Sequence, residues 1–180
     1  PAQLNRTCTE FQGFFRVDMG INIAGNPLVS SNQMIAYGDI VFRIIGVDGA
    51  IAPMAFSGFG RGLRIAEGSQ LEIFFNPSTP LVELTIQAFA DQAKVSYYRK
   101  EVIGTDGSGM AIYGYILITD NYSYVGSPGV VSYSNLNAPV DKVVVSPIGC
   151  IGDPANPEDD PHDCAAYIYL VCYQEFTAAV

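Results

Sequence analysis

The sequence predicts an all-β chain folded as an antiparallel two-sheet sandwich, and three observations carry the prediction. Short runs rich in β-branched and aromatic residues recur from end to end. Glycine- and proline-bearing clusters separate nearly all of them, so the 18 glycines and 11 prolines act as punctuation. No window of a dozen residues shows an apolar stripe at i, i+3, i+4 and i+7 with caps at both ends, which leaves no crossover helices for a parallel sheet.

The strands follow in chain order. Residues 11–17 open with Phe11, Phe14 and Phe15, and residues 39–47 carry Ile40, Phe42 and Ile44 into the turn Gly46-Val47-Asp48-Gly49. After Glu67-Gly68-Ser69 comes a run at 70–75, closed by the turn cluster Asn76-Pro77-Ser78-Thr79-Pro80. Residues 81–89 form the clearest strand: Val82, Leu84, Ile86 and Ala88 fall on one face and Glu83, Thr85 and Gln87 on the other. Runs at 94–102 and 110–119 flank Thr105-Asp106-Gly107-Ser108-Gly109, and Gly126-Ser127-Pro128-Gly129 introduces 130–133. Residues 140–145 and 165–176 complete the set. Residues 111–118 and 143–145 are apolar on both faces, which predicts central places in a sheet. Phe11, Phe14, Phe42, Phe74 and Phe89 are expected in the core or in sheet packing. Strands at this near-regular spacing favour a jelly roll among the sandwiches.

A chain of 180 residues fits one domain, here residues 1–180, and buries a substantial core without a metal or partner. Its 49% hydrophobic and 15% charged residues argue for tight packing and against disorder. Asp and Glu outnumber Lys and Arg 18 to 9, for a net charge of -9. That surface repels phosphate backbones and anionic lipid heads, so nucleic acid and membrane surfaces are poor partners, whereas cations and neutral ligands remain suitable. The longest apolar run, residues 111–118, falls far short of the roughly 20 residues that span a bilayer, so membrane insertion is not expected. The start at Pro1, with neither a charged nor an apolar leader region, reads as a mature or trimmed form.

Cys8, Cys150, Cys164 and Cys172 are even in number and contain no C-x-x-C pair, so disulfides are their simplest use and an extracellular or cell-surface location follows. Of three pairings we favour Cys150 with Cys164, closing a Pro- and Asp-rich loop, and Cys8 with Cys172, tying the first strand to the last. The competing use is four buried thiols in a reducing compartment. Sequons at Asn5 and Asn121 fit a secretory route but arise readily by chance.

The order Gly68-Ser69-x-Leu71-x-Ile73-x-Phe75-x-Pro77, the alternating strand at 81–89, the strand at 94–102, a glycine turn and then Val140-Asp141-Lys142-Val143-Val144-Val145 resembles the galactose-binding-like jelly-roll modules of secreted proteins. The resemblance spans residues 8 to 176 and lies in pattern. It implies first and last strands side by side, as a Cys8–Cys172 bridge requires, and a binding module; it transfers no site residue by position.

Catalytic signatures are sparse. His162 is the lone histidine and sits among Asp160, Pro161 and Asp163, where a solvated loop residue is expected. A carboxylate pair for glycoside cleavage would be drawn from Glu72, Glu83, Glu101 and Glu175, each equally explained as a solvent-facing strand residue. The irregular acidic loop 150–164 supplies hard oxygen ligands in Asp153, Glu158, Asp159, Asp160 and Asp163, a set suited to Ca²⁺ although not in EF-hand order. Asp120, Asn121, Tyr122 and Tyr124, with Tyr133, Asn135 and Asn137, combine flat rings with amides and a carboxylate at strand ends. That mixture suits stacking on a sugar while bonding its hydroxyls. The expected function is therefore a non-enzymatic extracellular module for carbohydrate or another cell-surface ligand, as in adhesion. The second reading is a structural, self-assembling subunit that buries its apolar, tyrosine-rich surface in a homo-oligomer.

Overall fold

The computed structural model describes residues 3–11, 28–29, 32–46, 49–53, 61–66, 68–88, 92–124, 128–149 and 165–177. Thirteen strands cross them: β1 Gln3–Glu10, β2 Leu28–Val29, β3 Ile35–Tyr37, β4 Ile40–Ile45, β5 Gly49–Pro53, β6 Arg61–Ala66, β7 Gln70–Thr79, β8 Leu81–Ala88, β9 Gln92–Thr105, β10 Ala111–Tyr124, β11 Gly129–Ser134, β12 Val140–Ile148 and β13 Ala165–Thr177. Every pairing is antiparallel. One sheet has seven strands in the order β11-β8-β13-β6-β5-β2, with β1 also on β13, and the other has six in the order β10-β9-β12-β7-β4-β3. Successive strands from β6 to β9 and from β10 to β13 pass from one sheet to the other, as in a jelly roll.

Period-2 alternation builds the core between the sheets. From the six-stranded sheet Ile40, Phe42, Ile44, Leu71, Ile73, Val95, Tyr97, Val143 and Val145 point inward; from the other come Leu63, Ile65, Val82, Leu84, Ile86, Ile168 and Val171. Each such side chain contributes about 1.5–3 kcal/mol by leaving water. The inward face expected for residues 81–89 is the one observed, with Val82, Leu84, Ile86 and Ala88 buried.

Three sequence expectations are corrected. The cluster at 76–80 is not a turn throughout: β7 continues to Thr79 through a cis Asn76-Pro77 bond, and only Pro80 separates it from β8. Phe74 is half-buried on the outer face, since its neighbours Leu71, Ile73 and Phe75 take the inward positions. Residues 111–118 belong to β10, which ends the six-stranded sheet instead of lying within it, whereas β12 is central as its apolar run predicts. The run at 12–17, together with Phe14, Phe89, His162, Cys150, Cys164 and Asp153, Glu158, Asp159, Asp160 and Asp163, lies outside the described residues.

The chain ends close on each other. Cys8 lies directly opposite Cys172 in the β1–β13 ladder, and the two form a disulfide across 164 residues of sequence. From β1, Thr9 reaches the other sheet, its hydroxyl accepting a bond from the Asp39 amide at 3.1 Å. Gly38, beside it at φ +57, has no room for a side chain, because a Cβ would meet Thr9 at 2.7 Å. Tyr173 of β13 donates its hydroxyl to the Asp39 carbonyl at 2.8 Å, so the β3–β4 turn is held from both terminal strands. Replacing Cys8 and Cys172 with serine is expected to lower unfolding free energy by about 3–5 kcal/mol, since so long a loop is released in the unfolded chain. Urea unfolding with and without reductant measures the loss.

Candidate functional site

The outer face of the six-stranded sheet is where ring-bearing and charged side chains gather. Inward placement of Leu71, Ile73, Val95, Tyr97, Val143 and Val145 turns Glu72, Phe74, Tyr98, Lys142 and Val144 outward. Register then sets Tyr98 opposite Lys142 and Leu117, Tyr115 opposite Lys100, and Tyr113 opposite Val102. Glu72, nearly buried, lies between two cations: its carboxylate accepts from Arg43 Nε at 2.6 Å and from Lys142 Nζ at 2.9 Å. The same cations lie over rings. Lys142 Nζ is 4.1 Å from the Tyr115 centroid and 5.0 Å from that of Tyr98, the Arg43 guanidinium is 5.5 Å from Phe74, and Lys100 Nζ is 4.7 Å from Tyr113. Phe74 and Tyr115 meet at 6.3 Å. Rings and charges thus fix one another's orientation. Burial, together with the negative charges of Asp141 and Glu72, pushes the Tyr115 phenol above its ordinary pKa, so it remains a protonated donor at neutral pH. At the β4–β7 end the face continues through Phe74 and Val41 into a cavity of about 270 Å³, also lined by Asp39, Phe75, Asn76 and Tyr173.

The residues singled out in the sequence divide between the two sides of β10 and its neighbours. Asp120 and Tyr122 join the outer face, opposite Ser96 and Lys94. Asp120 Oδ2 lies 3.9 Å from Lys94 Nζ, and its buried Oδ1 has no protein partner. Asn121 turns the other way, its amide donating to the Tyr97 hydroxyl at 3.2 Å and to the Ser132 carbonyl at 2.8 Å. Tyr133 is buried, stacked on Tyr97 at 4.8 Å, and donates to the Ala138 carbonyl at 2.5 Å. Asn135 and Asn137 are exposed in the β11–β12 turn, where Asn135 Oδ1 accepts from the Asn137 amide at 2.9 Å. Tyr124 is the last residue of β10. Sequence reading missed Arg43, Glu72, Phe74, Tyr98, Tyr113, Tyr115 and Lys142 as a set. The signal was present in strand parity, because once 71, 73 and 75 point inward, 72 and 74 must point out.

Of the carboxylates considered for glycoside cleavage, Glu72, Glu83 and Glu101 do not face each other, and the Glu175 side chain lies outside the described residues. Glu72 is on the outer face of one sheet, whereas Glu83 lies outside the other and pairs with Arg6 at 2.6 Å. Glu101 pairs with Arg99 at 2.6 Å on the hairpin. Among the described residues no three metal-ligating side chains cluster, and no helix is long and apolar enough to cross a membrane.

Beyond residue 99, β9 and β10 form a hairpin whose residues lie largely exposed on both faces as far as Leu117. Its turn is built on Asp106, whose carboxylate accepts from the Ser108 hydroxyl at 2.7 Å and from the Ser108 and Met110 amides at 2.9 Å each.

No family model matches the sequence, and no curated relative matches it. Among the solved structures similar to it are carbohydrate-binding modules and a protein from work on glycan recognition. One, from work on glycan recognition in the Ruminococcus flavefaciens cellulosome, is 12% identical over 97% of each chain, with a TM-score of 0.38. Another, the C-terminal family 22 carbohydrate-binding module of Clostridium thermocellum Xyn10B, is 14% identical over 84% of this chain and 89% of its own, with a TM-score of 0.39. A third, a CBM32 module bound to GalNAc, is 11% identical over 98% and 99%, with a TM-score of 0.32. At such distances no residue role transfers.

The Asp106 hydrogen bonds, those from the Ser108 hydroxyl first, hold its carboxyl below the ordinary value of 3.8. With the folded value lowered, the turn's contribution is complete above the unfolded value and disappears as pH falls through the folded one. Exchange protection factors at the Ser108 and Met110 amides are expected to fall below pH ~3.8, and Asp106→Ala should abolish them at neutral pH while the Val95 and Val143 amides stay protected.

Proposed function

We propose that the chain is a non-catalytic carbohydrate-binding module that acts outside the cell and takes its saccharide on the outer face of the six-stranded sheet. The observation that carries this reading is the row of Phe74, Tyr115, Tyr98 and Tyr113, interleaved with Arg43, Lys142, Glu72 and Lys100. A pyranose ring presents an apolar C–H face that stacks on an aromatic ring, and hydroxyls at its edge that need donors and acceptors at fixed positions. The Cys8–Cys172 bridge favours an oxidising compartment, and the separation of Glu72 from Glu83 by the thickness of the sandwich speaks against a paired-carboxylate hydrolase.

The test is a glycan array read with the wild type and with Tyr113→Ala and Tyr115→Ala. Each substitution is expected to weaken binding about tenfold to a hundredfold, or about 1.4–2.8 kcal/mol, with the melting temperature little changed. Binding that survives both would remove this face from consideration. Running the array with and without EDTA also tests Ca²⁺ at the acidic loop, which we retain as a proposal from its ligand types.

One observation favours self-assembly as a second reading. Of the exposed large apolar residues, Val102, Ile103, Met110, Ile112, Tyr113, Tyr115, Ile116 and Leu117 all lie on the β9–β10 hairpin. Residues 111–118 of β10, at the end of the sheet, contain no charge or proline to block pairing with another strand. On this reading the wild type sediments above its 19.4 kDa chain mass as concentration rises, and Ile116→Lys returns it to the monomer. A wild type that stays at 19.4 kDa throughout leaves the saccharide module alone.

A further inference from the structure

Resting on the saccharide reading, we propose that the ligand is an acidic polysaccharide, one carrying carboxylate or sulfate groups, and that Lys100 meets the anion. The chain has three lysines, Lys94, Lys100 and Lys142. All three share the outer face of the six-stranded sheet: Lys94 and Lys100 have the strand parity of Tyr98 on β9, and Lys142 lies opposite Tyr98. Arg43 joins them through its bond to Glu72. A chain of net charge -9 therefore sets four cations against three carboxylates, Glu72, Asp120 and Asp141, across this face, with Asp39 at its rim in the adjoining cavity. The remainder of the protein is strongly negative.

The internal pairing leaves positive charge available. Glu72 carries one charge and is shared by Arg43 and Lys142, so it offsets only one of them. Asp120 is at the outer limit of contact with Lys94, at 3.9 Å. Asp141 keeps its charge but makes its contact with the Lys100 backbone amide, at 2.7 Å, and forms no ion pair with the ammonium. Among the described residues the Lys100 ammonium forms no ion pair, and the Tyr113 ring, 4.7 Å from Nζ, orients it without neutralising it. An aromatic surface with one unpaired ammonium and a shared guanidinium–ammonium pair matches a sugar polymer whose rings stack and whose acidic groups project at the edge. Repulsion from the rest of the molecule would turn such a polymer toward this face, and salt would screen both effects.

The experiment titrates the intact chain calorimetrically with polygalacturonate, a sulfated galactan and a neutral galactan, at ~20 mM and ~300 mM salt. The expected result is binding of at least one acidic polymer at least tenfold tighter than the neutral one, weakened at least fivefold by the higher salt. Lys100→Gln should cost that polymer tenfold or more, with Lys100→Arg recovering most of it. Carboxylate and sulfate preference are separated by which acidic polymer binds. Neutral galactan bound equally well, salt-insensitive acidic binding, or a Lys100→Gln variant of undiminished affinity would overturn the proposal and leave the saccharide reading standing. Binding of none of the three would count against that reading as well. Should Lys100→Gln fail to fold, the wild-type polymer ratio and salt dependence decide alone.

Discussion

Strand β13 is the seam on which the architecture depends. Along one edge it pairs with β8 over most of its length; along the other it pairs first with β6 and then with β1. Three separate stretches of chain are thus held by one strand near the C-terminus, so the seven-stranded sheet cannot be complete until both ends of the sequence meet. Long-range antiparallel pairing of this kind carries a high loop-closure cost. The Cys8–Cys172 bridge offsets that cost by removing open conformations from the unfolded chain. Contacts from the same seam reach the opposite sheet. Thr79, at the end of β7, receives a bond from the Gln174 amide at 3.2 Å, and Tyr173 holds the Asp39 carbonyl.

Closure of the core also decides which surface is available to a ligand. On the outer side of the seven-stranded sheet, Cys172, Tyr169 and Gln87 are buried, and Tyr169 donates to Gln87 at 2.9 Å. On the outer side of the other sheet Glu72, Ser96 and Val144 are buried, while Tyr98 is half-buried and Lys100, Tyr113 and Tyr115 are exposed. There cations lie over the rings of Phe74, Tyr98 and Tyr115. Nearly buried Glu72 needs Arg43 and Lys142, and those cations in turn hold Phe74, Tyr98 and Tyr115 in place. The arrangement is a preorganised surface, and preorganisation lowers the ordering cost a flexible polymer ligand must meet on binding.

Much of the fold was legible because alternation and turn chemistry are local. Residues 81–89 announced both their strand and its buried face, and residues 143–145 their central place. Short strands such as β3 and β5 were missed because three to five residues cannot display a period. The site was less legible for a different reason. Glu72, Tyr98 and Lys142 lie on three strands in the order β9-β12-β7, an adjacency that no stretch of sequence states. Tyr133 shows the converse: its polar neighbours suggested a surface ring, but Val82 across the ladder is inward-facing, and a residue paired with it shares that face.

β10 departs furthest from what its sequence predicts. Apolar residues on both faces of a strand ordinarily mean two covered faces, and here the same pattern marks an edge with exposed ones. Natural edges are blunted by charge, proline or bulges. Residues 111–118 use neither of the first two, while register shifts at Ile112/Tyr113 and Leu117/Thr119 bound the regular ladder from Tyr113 to Leu117. Those irregularities are the one device of the three on this stretch, and between them the outward positions keep Tyr113 and Tyr115 beside Lys100 and Lys142. A charge introduced on that row to blunt the edge would alter the electrostatic character of the face, so the same five residues face two opposed demands.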